Sequence, residues 1–143
     1  MDTVKDILKE KGFDVWRVKP DASIDDALKL MAEKNVGAVL VMRDGAITGI
    51  FSERDFARKI FRFEKSLKEI KVEDLMTRPV LTVTPQTTVD DCVALMTHHR
   101  FRHLPVVEDG VVTGIVSIGD VVKTIISHQQ FTINELGKYI SGA

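Results

Sequence analysis

One cysteine, one tryptophan and one tyrosine are all that the 143 residues hold of those types, and only four prolines interrupt them. A lone Cys92 excludes an internal disulfide and any cysteine-based zinc cluster. Charge of one sign is missing as well. Twenty Lys and Arg stand against 21 Asp and Glu, a net charge of −1, so no global field favours nucleic acid or an anionic membrane surface. No apolar run is long enough to span a bilayer. The stretch Met1-Asp2-Thr3-Val4-Lys5-Asp6 lacks the charged-then-apolar pattern of a secretory signal. The expectation is a cytoplasmic protein without a membrane partner. There is no Gly-rich Walker loop, no Gly-x-Gly-x-x-Gly fingerprint and no recognisable nucleophile–base pair, which argues against an enzyme. Hydrophobic residues at 44% and charged residues at 29% describe an ordinary globular chain, one domain or two small halves.

What the sequence does have is a repeat. Gly49-Ile50-Phe51-Ser52-Glu53-Arg54-Asp55 is echoed by Gly114-Ile115-Val116-Ser117-Ile118-Gly119-Asp120, a shift of 65 residues. The same shift relates Pro20 to Pro85, Asp26 to Asp91, Met31 to Met96, Val41 to Val106 and Thr48 to Thr113, without a gap. Each copy reads as a strand, a proline, a capped helix, an apolar strand, an Asp-Gly hairpin, a returning strand and a second helix. The elements predicted are a helix over Val4 to Glu10 stopped by Gly12, a strand over Phe13 to Val18, and a helix from Ser23 to Lys34. Strands at Ala38 to Met42 and Ile47 to Phe51 follow, then a helix from Ser52 with Phe56 and Ile60 facing inward. In the second copy a strand ends at Val83, and Thr88 caps a helix that buries Val89, Cys92, Val93 and Met96. Strands Leu104 to Val107 and Val111 to Val116 then lead to a helix from Ser117. One such repeat buries too little to be comfortable alone. The fold class is therefore α/β, two pseudo-twofold-related β-α-β-β-α repeats packed sheet to sheet. That packing places both Gly-x-x-Ser-x-x-Asp turns around a shared cleft.

A strand running into a helix leaves free N–H groups and the positive end of a dipole, which suits phosphate. The serine can donate a hydrogen bond, and the aspartate can accept two from a sugar diol. The same residues also spell a capping box, with Ser52 and Ser117 as caps and Asp55 and Asp120 answering. Both readings stay open at this point. His98, His99 and Arg100 read as a solvated helix end, and Met31, Met76 and Met96 as core. Trp16 reads equally as core or as a base-stacking ring. The tail from Phe131 to Ile140 has one apolar face, suited to the chain's own N-terminal helix or a second subunit.

The tandem of capped helix, apolar strand, Asp-Gly hairpin and Gly-h-x-Ser-x-x-Asp resembles the CBS domain, named after cystathionine β-synthase. The resemblance covers roughly Val15 to Ser127, so the chain looks like a free-standing CBS pair. The second copy, with Asp74-Leu75-Met76-Thr77 and Arg102-His103-Leu104-Pro105-Val106-Val107, is the more typical. Its implied domains are a helix at 1–12, a first repeat at 13–66, a connector at 67–79, a second repeat at 80–130 and a helical tail at 131–143. The resemblance implies a regulatory module that binds AMP, ADP, ATP, NAD(H) or S-adenosylmethionine derivatives, without a required metal. It implies a homodimer acting on an unidentified protein target, with an interaction scaffold or a nucleic-acid-binding regulator as the alternatives. Carried over, Asp55 and Asp120 would hold ribose, and Ser52 and Ser117 would contact ribose or phosphate. Lys19, Thr82 and Thr84 would lie near the adenine, and Arg102 and His103 would face phosphates. Gly37 and Ala38 stand where Arg102 and His103 would be in the first copy, which leaves that copy to Arg54. Gly119 matches Arg54, so the two sites are expected to be unequal.

Overall fold

Two Asp-Gly turns set the architecture. Residues 2–140 are described by a computed structural model; the expected segments at Met1 and 141–143 lie outside the described residues. Asp44 and Gly45 adopt positive φ of 51° and 79°, and Asp109 and Gly110 adopt 52° and 77°, as a two-residue type I′ turn requires. The first turn joins β2 (Ala38–Arg43) to β3 (Ala46–Ser52), and the second joins β4 (His103–Glu108) to β5 (Val111–Ser117). Both hairpins carry a bulge at the same place, after Val41 and after Val106.

The helices follow the sequence signals. In α2 (Ile24–Lys34), Ser23 Oγ accepts the Asp26 amide at 3.0 Å; in α5 (Val89–His99), Thr88 Oγ1 accepts the Asp91 amide at 3.1 Å. Strand β2 is continuously apolar because both of its faces are covered. Val39 and Val41 join Met31, Phe51 and Val72 under the first set of helices. Leu40 and Met42 meet Ile50, Val112 and Ile115 between the two sheets. The second repeat has its own helix-side core around Leu104, Val106 and Val116. Met31, Met76 and Met96 are all buried. So is the Cys92 thiol, whose burial beside Asp91 pushes its pKa up to about 11.

Four expectations need correction. The first strand is only β1 (Arg17–Val18), parallel to β2, because the backbone pairs with β2 only from Trp16 O onward; Phe13, at the expected start, is 57% exposed. The equivalent strand of the second repeat shrinks to a single parallel bridge between Val83 and Val106. Val93 lies on the outer face of α5 and is exposed, whereas Val89, Cys92 and Met96 are buried. The tail is no separate helix: α6 runs unbroken over Ile118–Ile140, and Phe131, Ile133, Leu136, Tyr139 and Ile140 stay exposed instead of covering the N-terminal helix.

The termini of the repeats are exchanged. The connector lies on the first repeat: α4 (Val72–Leu75) is held there by Val72 N to Ala22 O at 2.8 Å and Glu73 N to Pro20 O at 3.1 Å. The N-terminal helix α1 (Val4–Lys11) lies on the second repeat through the matching bonds, Val4 N to Thr87 O at 2.8 Å and Lys5 N to Pro85 O at 2.9 Å. Val4, Ile7 and Leu8 complete the second core. Residues 4–11 thus do for the second half what residues 72–79 do for the first.

Candidate functional site

The pseudo-twofold axis generates two equivalent clefts, and each draws on both repeats. The first, about 530 Å³, joins Ser52, Arg54 and Asp55 to the corner between α5 and β4, residues Arg100, Phe101, Arg102 and His103. The second, about 390 Å³, joins Ser117 and Asp120 to the corner between α2 and β2, residues Asn35, Val36, Gly37 and Ala38. Both volumes are of the size that small-molecule sites occupy.

This crossing revises how the site residues group. Arg102 faces the serine and aspartate of the other repeat, and His103 faces those of both. The exchange expected between Arg54 and the Arg102/His103 pair is therefore no exchange: the basic residues gather in one cleft. Arg54, Arg58, Lys59, Arg100 and Arg102 line the Ser52 cleft against Glu53 and Asp55. The Ser117 cleft has Lys11 and Lys34 against Asp14 and Asp120. His99 and Arg100, expected as a solvated helix end, also reach the Ser52 cleft. His103 lines both clefts. Burial, then the nearby Lys11 and Arg102 charges, hold its imidazole below the ordinary value of 6.5 against the pull of Asp120 and Asp55.

The two aspartates sit in helix first turns, as the capping pattern requires, but their surroundings differ. In α3 (Glu53–Lys59), Asp55 is buried and fully engaged. Its Oδ2 accepts the Ser52 amide at 3.0 Å and lies 3.0 Å from Ser52 Oγ; its Oδ1 accepts the Thr77 hydroxyl at 2.6 Å and pairs with Lys59 Nζ at 3.2 Å. A carboxylate offers about four acceptor positions, so none is left over. Asp120 Oδ2 accepts the Ser117 amide at 2.8 Å and pairs with Lys11, while Oδ1 has no hydrogen-bond partner among the described residues. Burial alone would raise the Asp120 carboxyl, but the Lys11 ammonium and the Ser117 amide outweigh it and hold the pKa below 3.8.

Lys19, Thr82 and Thr84 are not brought to either cleft. Lys19 lies in a separate groove with Met42 and Arg43, and Thr82 lies in a shallow one with Ile47 and Thr48. Thr84 opens the turn before α5, where its amide donates to Thr87 Oγ1 at 3.1 Å. Sequence reasoning missed Lys11 and Thr77, which bond the two aspartates from outside either repeat motif. Trp16 is half-buried against the first helical core and also lines the Ser117 cleft, with Lys34 Nζ 4.5 Å above its ring.

Comparison with known proteins gives a consistent result. The profile of the CBS domain matches residues 4–62 and 72–127. The chain is 40% identical to the CBS domain-containing protein CBSX3, mitochondrial, of Arabidopsis thaliana, over 98% of this chain and 72% of that one. Among solved structures, the CBS domain protein NE2398 superimposes with a TM-score of 0.84 at 48% identity, covering 88% of this chain and 99% of its own. CBSX2, solved in complex with AMP, gives a TM-score of 0.69 at 32% identity over 89% of this chain and 98% of its own.

Proposed function

The chain belongs to the CBS-domain family, as a tandem pair, and from that footing we propose that it is a regulatory module that binds adenine nucleotides and relays the bound state to a protein target. Modules of this family are generally non-catalytic, and the chain is not an enzyme. The observation that carries the reading is the pair of equivalent clefts, each built from the Ser-x-x-Asp turn of one repeat and a helix–strand corner of the other. A structural relative holds AMP. In this chain AMP, ADP, ATP or NAD(H) is the proposed ligand, so the module senses energy or redox state. Asp120 and Ser117 take the ribose side of a ligand, and Arg54, Arg102 and His103 take phosphate. A reducing compartment such as the cytoplasm suits the buried free thiol of Cys92.

Assembly as a homodimer belongs to the same reading. Ile118, Val122 and Ile126 recur at four-residue steps on α6 and are 42–58% exposed, an apolar stripe suited to an isologous contact. Light scattering should return a mass above the 16.0 kDa monomer; a monomer at every concentration ends that part.

Thermal unfolding with AMP, ADP, ATP, NAD and NADH tests the ligand. A ligand specific to the folded state stabilises it by about 2.7 kcal/mol at a hundred times its dissociation constant. If none raises the melting temperature at millimolar concentration, the module is a scaffold instead.

A further inference from the structure

We infer that the two clefts take different chemical classes: the Ser52 cleft a polyphosphate, held without any contact of Asp55 to a ribose, and the Ser117 cleft a nucleoside moiety held by Asp120. This deepens, and rests on, the reading that both clefts are ligand sites.

The argument is an accounting of what each cleft has free. Among the described residues, Arg54, Arg58, Arg100 and Arg102 make no ion pair, yet all four line the Ser52 cleft. Burial, followed by the nearby Arg102 and Arg58 charges, lowers the Arg54 pKa against the pull of Asp55. Guanidinium groups bind phosphate oxygens in forked pairs. Of the two carboxylates there, Glu53 is outnumbered by the arginines, and Asp55 has its acceptor positions taken by Ser52, Thr77 and Lys59 and is only 8% exposed. The cleft therefore offers donors and no acceptor from that aspartate.

The Ser117 cleft is the reverse. Its two cations are already engaged: Lys11 bonds Asp120 and the Ile115 carbonyl, and Lys34 sits over the Trp16 ring and 3.6 Å from Glu33. Phosphate would have to compete with these contacts. Asp120 keeps Oδ1 for hydroxyl donors, and the position matching Arg54 is Gly119, with no side chain to offer.

Trp16 is the chain's only tryptophan and lines the Ser117 cleft alone, so its fluorescence reports that cleft and not the other. The test uses the full chain, inorganic tripolyphosphate and adenosine, followed by calorimetry and by Trp16 emission. Tripolyphosphate should bind without changing Trp16 emission, with an affinity that falls as salt rises. Arg102→Ala should weaken it by roughly ten-fold or more, the scale of losing a charge-assisted contact. Adenosine should change Trp16 emission, ignore Arg102→Ala and lose roughly ten-fold or more on Asp120→Asn. Unchanged melting temperatures in Arg102→Ala, an exposed position, establish that it is folded. Tripolyphosphate that quenches Trp16, or that binds Arg102→Ala and Arg54→Ala undiminished, overturns the division. So does a protein that binds ATP but neither fragment, although the adenine-nucleotide reading then survives. Failure of every nucleotide to bind removes that reading and the division together.

Discussion

Lys11 does at Asp120 what Thr77 does at Asp55. In the first repeat the Thr77 amide donates to the Ile50 carbonyl at 2.8 Å and its hydroxyl to Asp55. In the second, one Lys11 ammonium serves both the matching carbonyl, Ile115 O at 2.9 Å, and the matching carboxylate. A backbone-anchored neutral contact has been replaced by the end of a flexible cation. Lys11→Met should therefore let burial dominate at Asp120 and raise its carboxyl pKa, readable by NMR titration. The sign follows from linkage. A depressed carboxylate pKa stabilises above its unfolded value near 3.8, and that stability is lost as pH falls through the folded value. The wild type should exceed Lys11→Met in stability at pH 6, and the gap should close on acidification. A gap independent of pH would show that Lys11 acts only through packing.

The same exchange of lead-in segments explains two glycines. A Cβ on Gly114 would fall 2.8 Å from both methyls of the buried Leu8, and one on Gly49 would fall 2.5 Å from Met76 Sδ and 3.1 Å from the Thr77 carbonyl. Gly49→Ala and Gly114→Ala should each cost about 1–3 kcal/mol, the scale of overpacking a core. Gly49 should cost more, because its neighbour includes backbone that is hydrogen-bonded to β3. In a Leu8→Ala background Gly114→Ala should lose much of its cost, a coupling that chemical denaturation of the four-member cycle measures.

The repeat, the caps and the hairpins were legible because each is local: an oxygen three residues before an amide, or an Asp-Gly pair between apolar runs. The shift of 65 also carried the fold, since it aligned two cores at once. The pairing of clefts was not legible in that shift, because motif matching compares Arg102 with Gly37 and does not say which Ser-x-x-Asp either one faces. Nor was the role of Lys11, which acts 109 residues away from Asp120 through a helix that packs on the other repeat. The short first strand misled for a related reason: Phe13 to Val18 alternates, but the backbone there pairs only where Trp16 O and β1 meet Leu40 and Val41.

Replacing each aspartate by asparagine should now give unlike results. Asp55→Asn turns an acceptor that faces only donors into a group that carries two donors of its own. With the site buried, this should cost roughly 1–3 kcal/mol and lower the melting temperature without ligand. Asp120→Asn keeps an oxygen for the Ser117 amide and gives up an ion pair whose side chains are 32% and 21% exposed, a loss of about 1 kcal/mol. Its cost should appear in ligand affinity at the Ser117 cleft. Differential scanning calorimetry of both variants decides it: equal destabilisation would mean that the two carboxylates have the same structural job.

His103, on the wall between the clefts, makes ligand binding depend on pH. In the free protein its imidazole should titrate below 6.5, because burial and the Lys11 and Arg102 charges oppose the second proton. A depressed histidine pKa stabilises the fold above about 6.5, and that contribution is lost as pH falls from there through the folded value. A polyphosphate in the Ser52 cleft would reverse the local field and raise the pKa, so binding should take up a fraction of a proton as pH falls below the ordinary histidine value. Affinity for tripolyphosphate should then rise on acidification by more than ionic screening explains. Calorimetry in two buffers of different ionisation enthalpy reads the proton uptake directly, and NMR of the imidazole follows the pKa. His103→Gln should abolish the uptake while leaving binding at pH 8 nearly unaltered. Equal uptake in wild type and His103→Gln would assign the proton to another group and remove His103 from the phosphate wall.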